Sequence, residues 1–185
     1  MDPVSLRTAR LTLRPPALDD VDAIAAACQD PGIQRYVPVP VPYTREDAVS
    51  YVGAFCPDGW ASGERLTWGI HEGDAFVGTV GLSDVADGAA EIGWWLAPGA
   101  RGRGIMREAA ATVVDHGFDA LGVARIGWRA YAGNTASAAV ARALGFRFEG
   151  VARLGAMGRE GRENDWLAGL LATDDRAPRP WPVLA

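Results

Sequence analysis

The order of apolar and polar residues divides the chain into seven predicted strands and four predicted helices. Alternation with a period of two, or a short apolar run bounded by turn residues, predicts the strands. Apolar residues three and four positions apart predict the helices. The predicted strands are 5–14, 65–71, 75–82, 91–96, 123–131, 146–154 and 166–171. The predicted helices are 21–28, 45–55, 104–120 and 134–144.

Proline and glycine clusters set the predicted ends of these elements. Asp30-Pro31-Gly32 is predicted to close the first helix, and Pro57-Asp58-Gly59 to break the second. The second helix has a cap at Thr44 and an acid three residues later at Asp47, which together form a capping box. The Pro-alternating segment 37–43 is predicted to be extended, and 155–161 to be a turn.

The order of the elements predicts a mixed sheet. The segments over 65–96 form an antiparallel meander, whereas the strand-helix-strand crossover over 91–131 requires parallel neighbours. The predicted fold is therefore of the α/β (mixed α+β) class, with a mostly antiparallel seven-stranded sheet and helices on both faces. A chain of 185 residues fits one domain, predicted over 1–172, followed by a Pro-rich tail over 173–185.

Charge limits the classes of partner. The net charge is −5, and all 18 basic residues are arginines. Broad binding to nucleic acid requires a strongly basic face, so no nucleic-acid partner is expected. The arginines near 101–107 are instead a local basic site in an acidic protein.

The remaining reactive residues are few. Cys28 and Cys56 are widely spaced without a metal-ligand pattern, which favours reduced thiols in a cytoplasmic protein, and no metal is expected. His116 falls on the polar side of its predicted helix and is expected to be solvated rather than catalytic. No apolar run of about 18 residues or signal-peptide pattern occurs, so no membrane partner is expected.

The segment 91–106, EIGWWLAPGARGRGIM, predicts a strand, a turn, a glycine-rich loop and a helix start. Gly102 and Gly104 allow backbone N–H groups to approach a ligand closely. A helix N-terminus with nearby Arg101, Arg103 and Arg107 favours an anion, most plausibly phosphate. An ordinary glycine-rich connection is the alternative.

This segment resembles the acetyl-CoA loop of the GNAT acyltransferase superfamily, Gln/Arg-x-x-Gly-x-Gly/Ala, with Arg101 and Gly104 at its first and fourth positions. The run from Glu91 to Pro98 followed by RGRG resembles the ribosomal-protein N-terminal acetyltransferases of the RimJ and RimL type. Asn134 and Ser137, followed by Gly145-Phe146, resemble a second signature of these proteins. The resemblance covers nearly the whole chain and implies a sheet whose fourth and fifth predicted strands splay apart to admit the cofactor.

The resemblance implies an acetyl-CoA-dependent N-acetyltransferase with two catalytic residues. Glu91 would be the base, directly or through water, and Ser137 would hydrogen-bond the departing thiolate. The structural alternatives are a solvent-facing or salt-bridged Glu91, a purely helix-capping Asn134 and a solvated Arg142. The implied cofactor-binding residues are Trp95, Leu96, Ala97, Arg101, Gly102, Arg103, Gly104, Ile105, Met106, Asn134 and Arg142.

Two positions depart from the resembled pattern. Met106 replaces the usual Gly or Ala, so its side chain either enters the core or narrows the pantetheine channel. Ala141 stands where many members have a tyrosine that protonates the thiolate.

The acceptor is left open by the sequence. A protein N-terminal α-amine is favoured, and an antibiotic or other small-molecule amine is the alternative. A CoA-binding regulatory module without turnover is a second hypothesis, and a dinucleotide-binding oxidoreductase is disfavoured because the glycine spacing does not match. A homodimer is also left open.

Overall fold

The computed structural model describes residues 1–184 and contains one sheet of eight strands in the order β1-β2-β3-β4-β5-β6-β8-β7. All neighbouring strands are antiparallel except the parallel pair β5 and β6. The mixed, mostly antiparallel sheet is therefore confirmed. The strands are Leu6–Arg7 (β1), Leu11–Arg14 (β2), Arg65–Glu72 (β3), Ala75–Ala86 (β4), Ala89–Leu96 (β5), Arg125–Tyr131 (β6), Arg147–Gly158 (β7) and Gly161–Leu171 (β8).

The number of strands differs from the predicted seven because the first predicted strand is a hairpin. The chain turns at Thr8, whose hydroxyl oxygen accepts a hydrogen bond of 2.9 Å from the Leu11 amide. Leu6 then lies opposite Leu13, so both apolar side chains keep their core-facing positions. A period-two pattern cannot distinguish this arrangement from one continuous strand.

The turn predicted over 155–161 is wrong for most of its length, because β7 runs to Gly158 and β8 starts at Gly161. The register of this pair shifts between Phe148 and Gly150 and again between Ala152 and Ala156. The glycines there accompany bulges and do not end the strand.

The six α-helices include two that the sequence analysis did not predict correctly. Asp30 caps a new helix, its side chain accepting a hydrogen bond of 2.9 Å from the Ile33 amide, with Pro31 in the first turn. Pro57 likewise lies in a first helical turn, so the chain stays helical past it. The α-helices are Val21–Ala27 (α1), Pro31–Tyr36 (α2), Arg45–Ser50 (α3), Cys56–Ser62 (α4), Ile105–Asp119 (α5) and Thr135–Ala143 (α6), with a π-helical turn over Tyr51–Phe55.

Helices cover both faces of the sheet, as predicted. On one face, α5 and α6 pack on a core that includes Trp68, Ile92 and Phe146. On the other, α1, α2 and α3 enclose a smaller cluster that includes Trp95. The capping box of α3 is present as predicted, with the Thr44 amide donating to Asp47 at 2.8 Å.

Two side chains outside the predicted core belong to the interior. His116 is half-buried against Trp68, with ring centroids 5.7 Å apart, and its Nε2 has no hydrogen-bond partner among residues 1–184. The expected solvated histidine is therefore wrong, and burial lowers its pKa. Trp181, in the predicted tail, is 2% exposed and part of the larger core. The last tail position, Ala185, lies outside the described residues.

Candidate active site

The site is a gap that opens where β5 and β6 separate. Their pairing ends at Ile92 and Trp128. Beyond that point, Gly93–Leu96 pairs only with β4, and Arg129–Tyr131 pairs only with β8. The predicted splay between these two strands is confirmed, and three adjoining cavities surround it.

The first cavity, the loop cavity, has a volume of about 490 Å³ and lies between the start of α5, the end of β5 and α6. It collects most of the residues predicted to bind the cofactor. The predicted residues that line it are Trp95, Leu96, Arg101, Gly102, Gly104, Ile105, Met106, Asn134 and Ser137. The lining does not include Ala97, Arg103 or Arg142.

The loop before α5 presents unpaired backbone donors. Gly102 and Gly104 both have φ of 74°, in the left-handed region that favours glycine. Within residues 1–184, the amides of Gly102, Arg103 and Gly104 donate to no backbone carbonyl. The first amides of the 15-residue helix α5 also lack intrahelical partners. Together these donors and the positive end of the helix favour an anion.

The three arginines near the loop differ in their partners. Arg101 donates to Asp30 at 2.6 Å and to the Leu96 carbonyl at 3.2 Å. Arg103 donates to both carboxylate oxygens of Glu72 at 2.8 Å. Arg107 lines the loop cavity and forms no ion pair within the described part of the chain. Of the three, Arg107 has the guanidinium most available for a bound anion.

Met106 points into the core. It is 5% exposed and packs in the larger cluster, while one edge of it borders the loop cavity. Of the two orientations left open by the sequence, the core orientation is therefore the observed one.

Asn134 and Ser137 stand between the loop cavity and the next. The side-chain oxygen of Asn134 accepts a hydrogen bond of 3.2 Å from the Ser137 amide and caps α6. The Ser137 hydroxyl oxygen accepts one of 3.2 Å from the Trp128 indole. This leaves the hydroxyl hydrogen free to donate.

The second cavity, the Glu91 cavity, has a volume of about 430 Å³ and shares Asn134 and Ser137 with the loop cavity. Burial raises the pKa of Glu91, Arg129 opposes that shift, and Asp84 and Asp165 add to it. A carboxyl group with a raised pKa in a cavity is suited to accept a proton.

The sequence analysis missed the charged groups around Glu91. Arg129 and the buried Asp165 line the same cavity and form an ion pair of 2.5 Å. Arg129 follows the core residue Trp128 on β6, so the period-two alternation of the strand could have shown that its side chain faces the opposite side of the sheet. Asp165 lay between the predicted turn 155–161 and the predicted strand 166–171 and gave no comparable signal.

The third cavity, the apolar cavity, has a volume of about 700 Å³ and lies between the sheet and the helical layer of α1 and α3. Its lining includes five aromatic residues, Tyr43, Tyr51, Phe55, Trp94 and Trp95. Gly93 forms part of its floor, and a Cβ atom there would meet nothing within 4 Å. The space above Gly93 is therefore open. Val37 and Trp94 border all three cavities.

The cysteines, the potential metal ligands and the apolar character of the helices in residues 1–184 also bear on the possible functions. Cys28 and Cys56 are free and buried, and burial raises the pKa of each thiol to about 11. No group of three or more potential metal ligands occurs in that part of the chain. No helix among the described residues is long and apolar enough to cross a membrane.

Comparison with known proteins decides the family. The sequence model described as the acetyltransferase (GNAT) domain matches residues 10–147. The chain belongs to the GNAT acetyltransferase family. Its similarity to the uncharacterized N-acetyltransferase p20 of Bacillus licheniformis is 32% identity over 155 residues, covering 80% of this chain and 85% of p20. The N-acetyltransferase class is thereby supported.

Solved structures of the family share the fold. The RimL ribosomal L7/L12 α-N-protein acetyltransferase in complex with coenzyme A superposes with a TM-score of 0.83 at 20% identity, covering 91% of this chain and 98% of RimL. The RimJ protein of Mycobacterium smegmatis in complex with a CoA disulfide gives 0.81 at 26% identity, covering 92% and 87%. The GNAT fold predicted from the resemblance is confirmed.

Proposed function

We propose that this GNAT acetyltransferase transfers the acetyl group of acetyl-CoA to a primary amine by direct attack, and that this amine is the α-amine of a protein or peptide N-terminus. The single observation that carries the proposal is the loop cavity. Its unpaired amides, the start of α5 and Arg107 offer an anion site at one end, and Ser137 and Trp94 lead from it to Glu91. The similar RimL and RimJ structures contain coenzyme A or its disulfide.

Acetyl-CoA would supply an activated thioester carbonyl. The amides of 102–104 and the side chain of Arg107 would hold its phosphates, and Trp95, Leu96, Ile105 and Met106 would border its acyl arm. Roles for Ala97, Arg103 and Arg142 stay predictions. The Ala97 amide already donates to the Val77 carbonyl at 2.9 Å, so it is not available to polarise the thioester.

Glu91 and Ser137 would act on protons at the two ends of the reaction. The attacking amine must lose a proton as its nitrogen bonds to the acyl carbon. Glu91 would accept this proton, because it lines the Glu91 cavity and its pKa is raised. The carbon–sulfur bond breaks, and the free hydroxyl hydrogen of Ser137 would hydrogen-bond the departing thiolate. A hydroxyl in this role stabilises charge and need not transfer its proton.

An α-amine suits a site in which one carboxylate, Glu91, is the proposed base. With a pKa near 8, roughly 10 to 25% of it is neutral at pH 7 to 7.4, whereas only about 0.1% of a lysine side chain is. An α-amine therefore asks less of a base. A small-molecule amine stays the alternative acceptor. A cytoplasmic location and a homodimer also stay predictions.

The second candidate is a CoA-binding module without turnover. It is favoured by Ala141, which is fully buried and cannot supply the proton that a tyrosine would give. Met106 no longer favours this alternative, because its side chain packs in the core.

The test combines binding and turnover. Calorimetric titration with coenzyme A should show saturable binding that Arg107→Gln weakens about tenfold, as expected for losing a charge-assisted contact, while Arg7→Gln on the exposed end of the sheet leaves it unchanged. Thiol release from acetyl-CoA is then measured with N-terminal peptides, polyamines and aminoglycosides. Glu91→Gln combined with Ser137→Ala should lose rate and keep coenzyme A affinity. Binding without thiol release from any acceptor would support the non-catalytic module, and no binding to the folded protein would overturn both.

A further inference from the structure

Two arginines line a cavity without a carboxylate partner in residues 1–184. Most other arginines are ion-paired, including Arg101 and Arg129, which also border cavities. Among the arginines that line a cavity, the two without an ion pair in residues 1–184 are Arg107 in the loop cavity and Arg65 in the apolar cavity. Arg107 is accounted for by the proposed cofactor, whereas Arg65 lies in a cavity that the cofactor's phosphates do not explain.

The Arg65 guanidinium is held in place before any ligand is considered. Its central carbon lies 4.0 Å from the centroid of the Phe55 ring, a close cation–π contact. Its Nε is buried and has no hydrogen-bond partner. Because Nε is enclosed by protein atoms, a ligand in the apolar cavity would reach the guanidinium through its terminal nitrogens, which carry four of its five N–H donors.

Arg65 and Glu91 lie on the same face of the sheet, where Arg65 lines the apolar cavity, Glu91 lines the Glu91 cavity, and Gly93 borders both. Arg65 pairs with Ser83 across β3 and β4, and Ser83 pairs with Glu91 across β4 and β5. Directly paired residues share a face, and two strand spacings separate the Arg65 and Glu91 backbones by roughly 10 Å. Beside this row, Gly81 pairs with Gly93, and the site above Gly93 is open.

The acidic residues near the cavity do not neutralise Arg65. Asp47 is engaged in the capping box of α3, where its carboxylate accepts hydrogen bonds of 2.8 Å and 2.7 Å from Thr44. Asp58 lines the cavity from an exposed position and lies outside ion-pair distance of Arg65. Asp20, on the same side of the sheet as α1, is likewise engaged by Arg14 and His71.

We propose that Arg65 binds a carboxylate of the acceptor, so that the substrate is an amine that also carries an acidic group. The inference rests on the proposed function and names its substrate class. The amine would lie near Glu91 and Gly93, the carboxylate would reach the guanidinium, and the aromatic walls would contact the atoms between them. Arginine is suited to this task because its planar donors match a carboxylate. Two sources share this chemistry, namely an acidic residue close to a peptide N-terminus and a free amino acid with an acidic side chain.

The wild-type test compares acceptors that differ in one charge. Thiol release is measured with peptides that begin Ser-Glu, Ser-Gln and Ser-Lys and are otherwise identical, and with free glutamate and glutamine. For a peptide source, kcat/KM for Ser-Glu should exceed that for Ser-Gln at least about tenfold, as expected for one charge-assisted contact. For a free amino acid, glutamate should show this preference over glutamine instead. Ratios within twofold in both series, or a preference for Ser-Lys, would overturn the inference.

Variants test whether Arg65 is responsible. Arg65→Gln should bring the acidic-to-neutral ratio of kcat/KM close to one, and Arg7→Gln, which removes the same charge from an exposed strand, should leave the ratio unchanged. Arg65→Lys keeps the charge without the fork and should lower the ratio only partly. If thermal melting shows that Arg65→Gln is unfolded, the comparison rests on Arg65→Lys. An unchanged acidic-to-neutral ratio of kcat/KM in whichever variant folds would contradict the role of Arg65.

A binding measurement separates this inference from the proposed function. Trp94 and Trp95 line the apolar cavity, so tryptophan fluorescence can follow acceptor binding without turnover. The acidic acceptor should bind at least about tenfold more tightly than its neutral counterpart in the wild type only. If coenzyme A fails to bind and no thiol is released, the proposed function is contradicted. The fluorescence titration still shows whether Arg65 favours the acidic acceptor. If turnover occurs without any acidic preference, only the inference fails.

Discussion

The indole Nε1 of Trp181 donates a hydrogen bond of 3.1 Å to the carbonyl oxygen of Phe146. The ring also lies 5.5 Å from Trp128 and 5.4 Å from Phe148, measured between centroids. A residue from the Pro-rich end of the chain thus completes the core beneath α6 and β6, the two elements that carry Ser137 and Arg129.

Removal of this indole should destabilise the whole protein. Trp181→Ala leaves a large cavity and an unpaired carbonyl, and we expect the free energy of unfolding to fall by about 3 to 5 kcal/mol. Urea denaturation followed by circular dichroism measures the change. Arg179→Ala, at an exposed ion pair two residues earlier, is the control and should cost less than about 1 kcal/mol. Equal effects of the two substitutions would show that Trp181 contributes no more than a surface residue.

The pH dependence of kcat/KM should reveal two ionisations on its acid side. The acceptor α-amine must be neutral, and the Glu91 carboxylate must be ionised to take its proton. Because burial raises the pKa of Glu91, the second ionisation should lie above the usual glutamate value of about 4.3. Log kcat/KM should therefore rise with a slope near 1 between the two pKa values and near 2 below both.

Glu91→Gln should leave only the ionisation of the amine. The expected profile has a slope near 1 over the whole acid side and a lower rate at neutral pH. Glu149→Gln, which removes an exposed carboxylate paired with Arg125, is the matched control and should keep the wild-type shape. Retention of the steeper acid slope in Glu91→Gln would rule out this residue as the base.

Filling the space above Gly93 should affect the acceptor and leave the fold intact. A Cβ atom at Gly93 meets nothing within 4 Å, and its side chain would enter the apolar and Glu91 cavities. We expect Gly93→Val to keep the melting temperature and coenzyme A affinity and to lower kcat/KM for the acceptor about a hundredfold, since small displacements of reacting groups are costly. Gly53→Val, at another open but exposed position, is the control. An unchanged kcat/KM in Gly93→Val would show that the acceptor does not pass over Gly93.

Asp20 should act as a pH-sensitive element of stability. Burial disfavours its charge, but hydrogen bonds from His71, the Ala17 amide and Arg14 outweigh this and lower its pKa. A group whose pKa is lower in the folded state stabilises the protein above the unfolded value, about 3.9, and that contribution is lost as the pH falls through the folded value. Asp20→Asn should cost about 3 kcal/mol at pH 7 and flatten the acid end of the stability profile.

The control for Asp20 is an exposed ion pair on the adjoining helix. Asp22 and Arg45 lie 2.7 Å apart, with side chains 80% and 61% exposed. Asp22→Asn should therefore change the free energy of unfolding by less than about 1 kcal/mol. Urea denaturation at pH 7 and pH 4 compares the two variants, and a larger loss in Asp22→Asn would contradict the importance assigned to burial.

The sequence predicted the parts of the site that depend on local rules. The glycine-rich loop, the start of α5 and the cap at Asn134 follow from residue types at fixed spacings, and the structure contains all three. The prediction was wrong at two prolines, because proline both ends helices and is favoured in their first turn. Pro31 and Pro57 were taken as helix ends, whereas each occupies a first helical turn, where its missing N–H is not needed.

Long-range contacts account for the rest of what the sequence could not give. Asp165 and Arg129 meet because β8 inserts between β6 and β7, and no local pattern encodes that strand order. The significance of Arg65 likewise depends on Phe55, which a π-helical turn brings over its guanidinium. Such pairings become visible only when distant segments are placed together.

The position of Trp94 and Val37 on all three cavities has a kinetic consequence. A molecule in the loop cavity forms part of the surface that an acceptor meets, so neither substrate has a binding energy that is independent of the other. The ranking of acceptors obtained with an acetyl donor therefore belongs to that combination of substrates, and a bulkier acyl chain should reorder it.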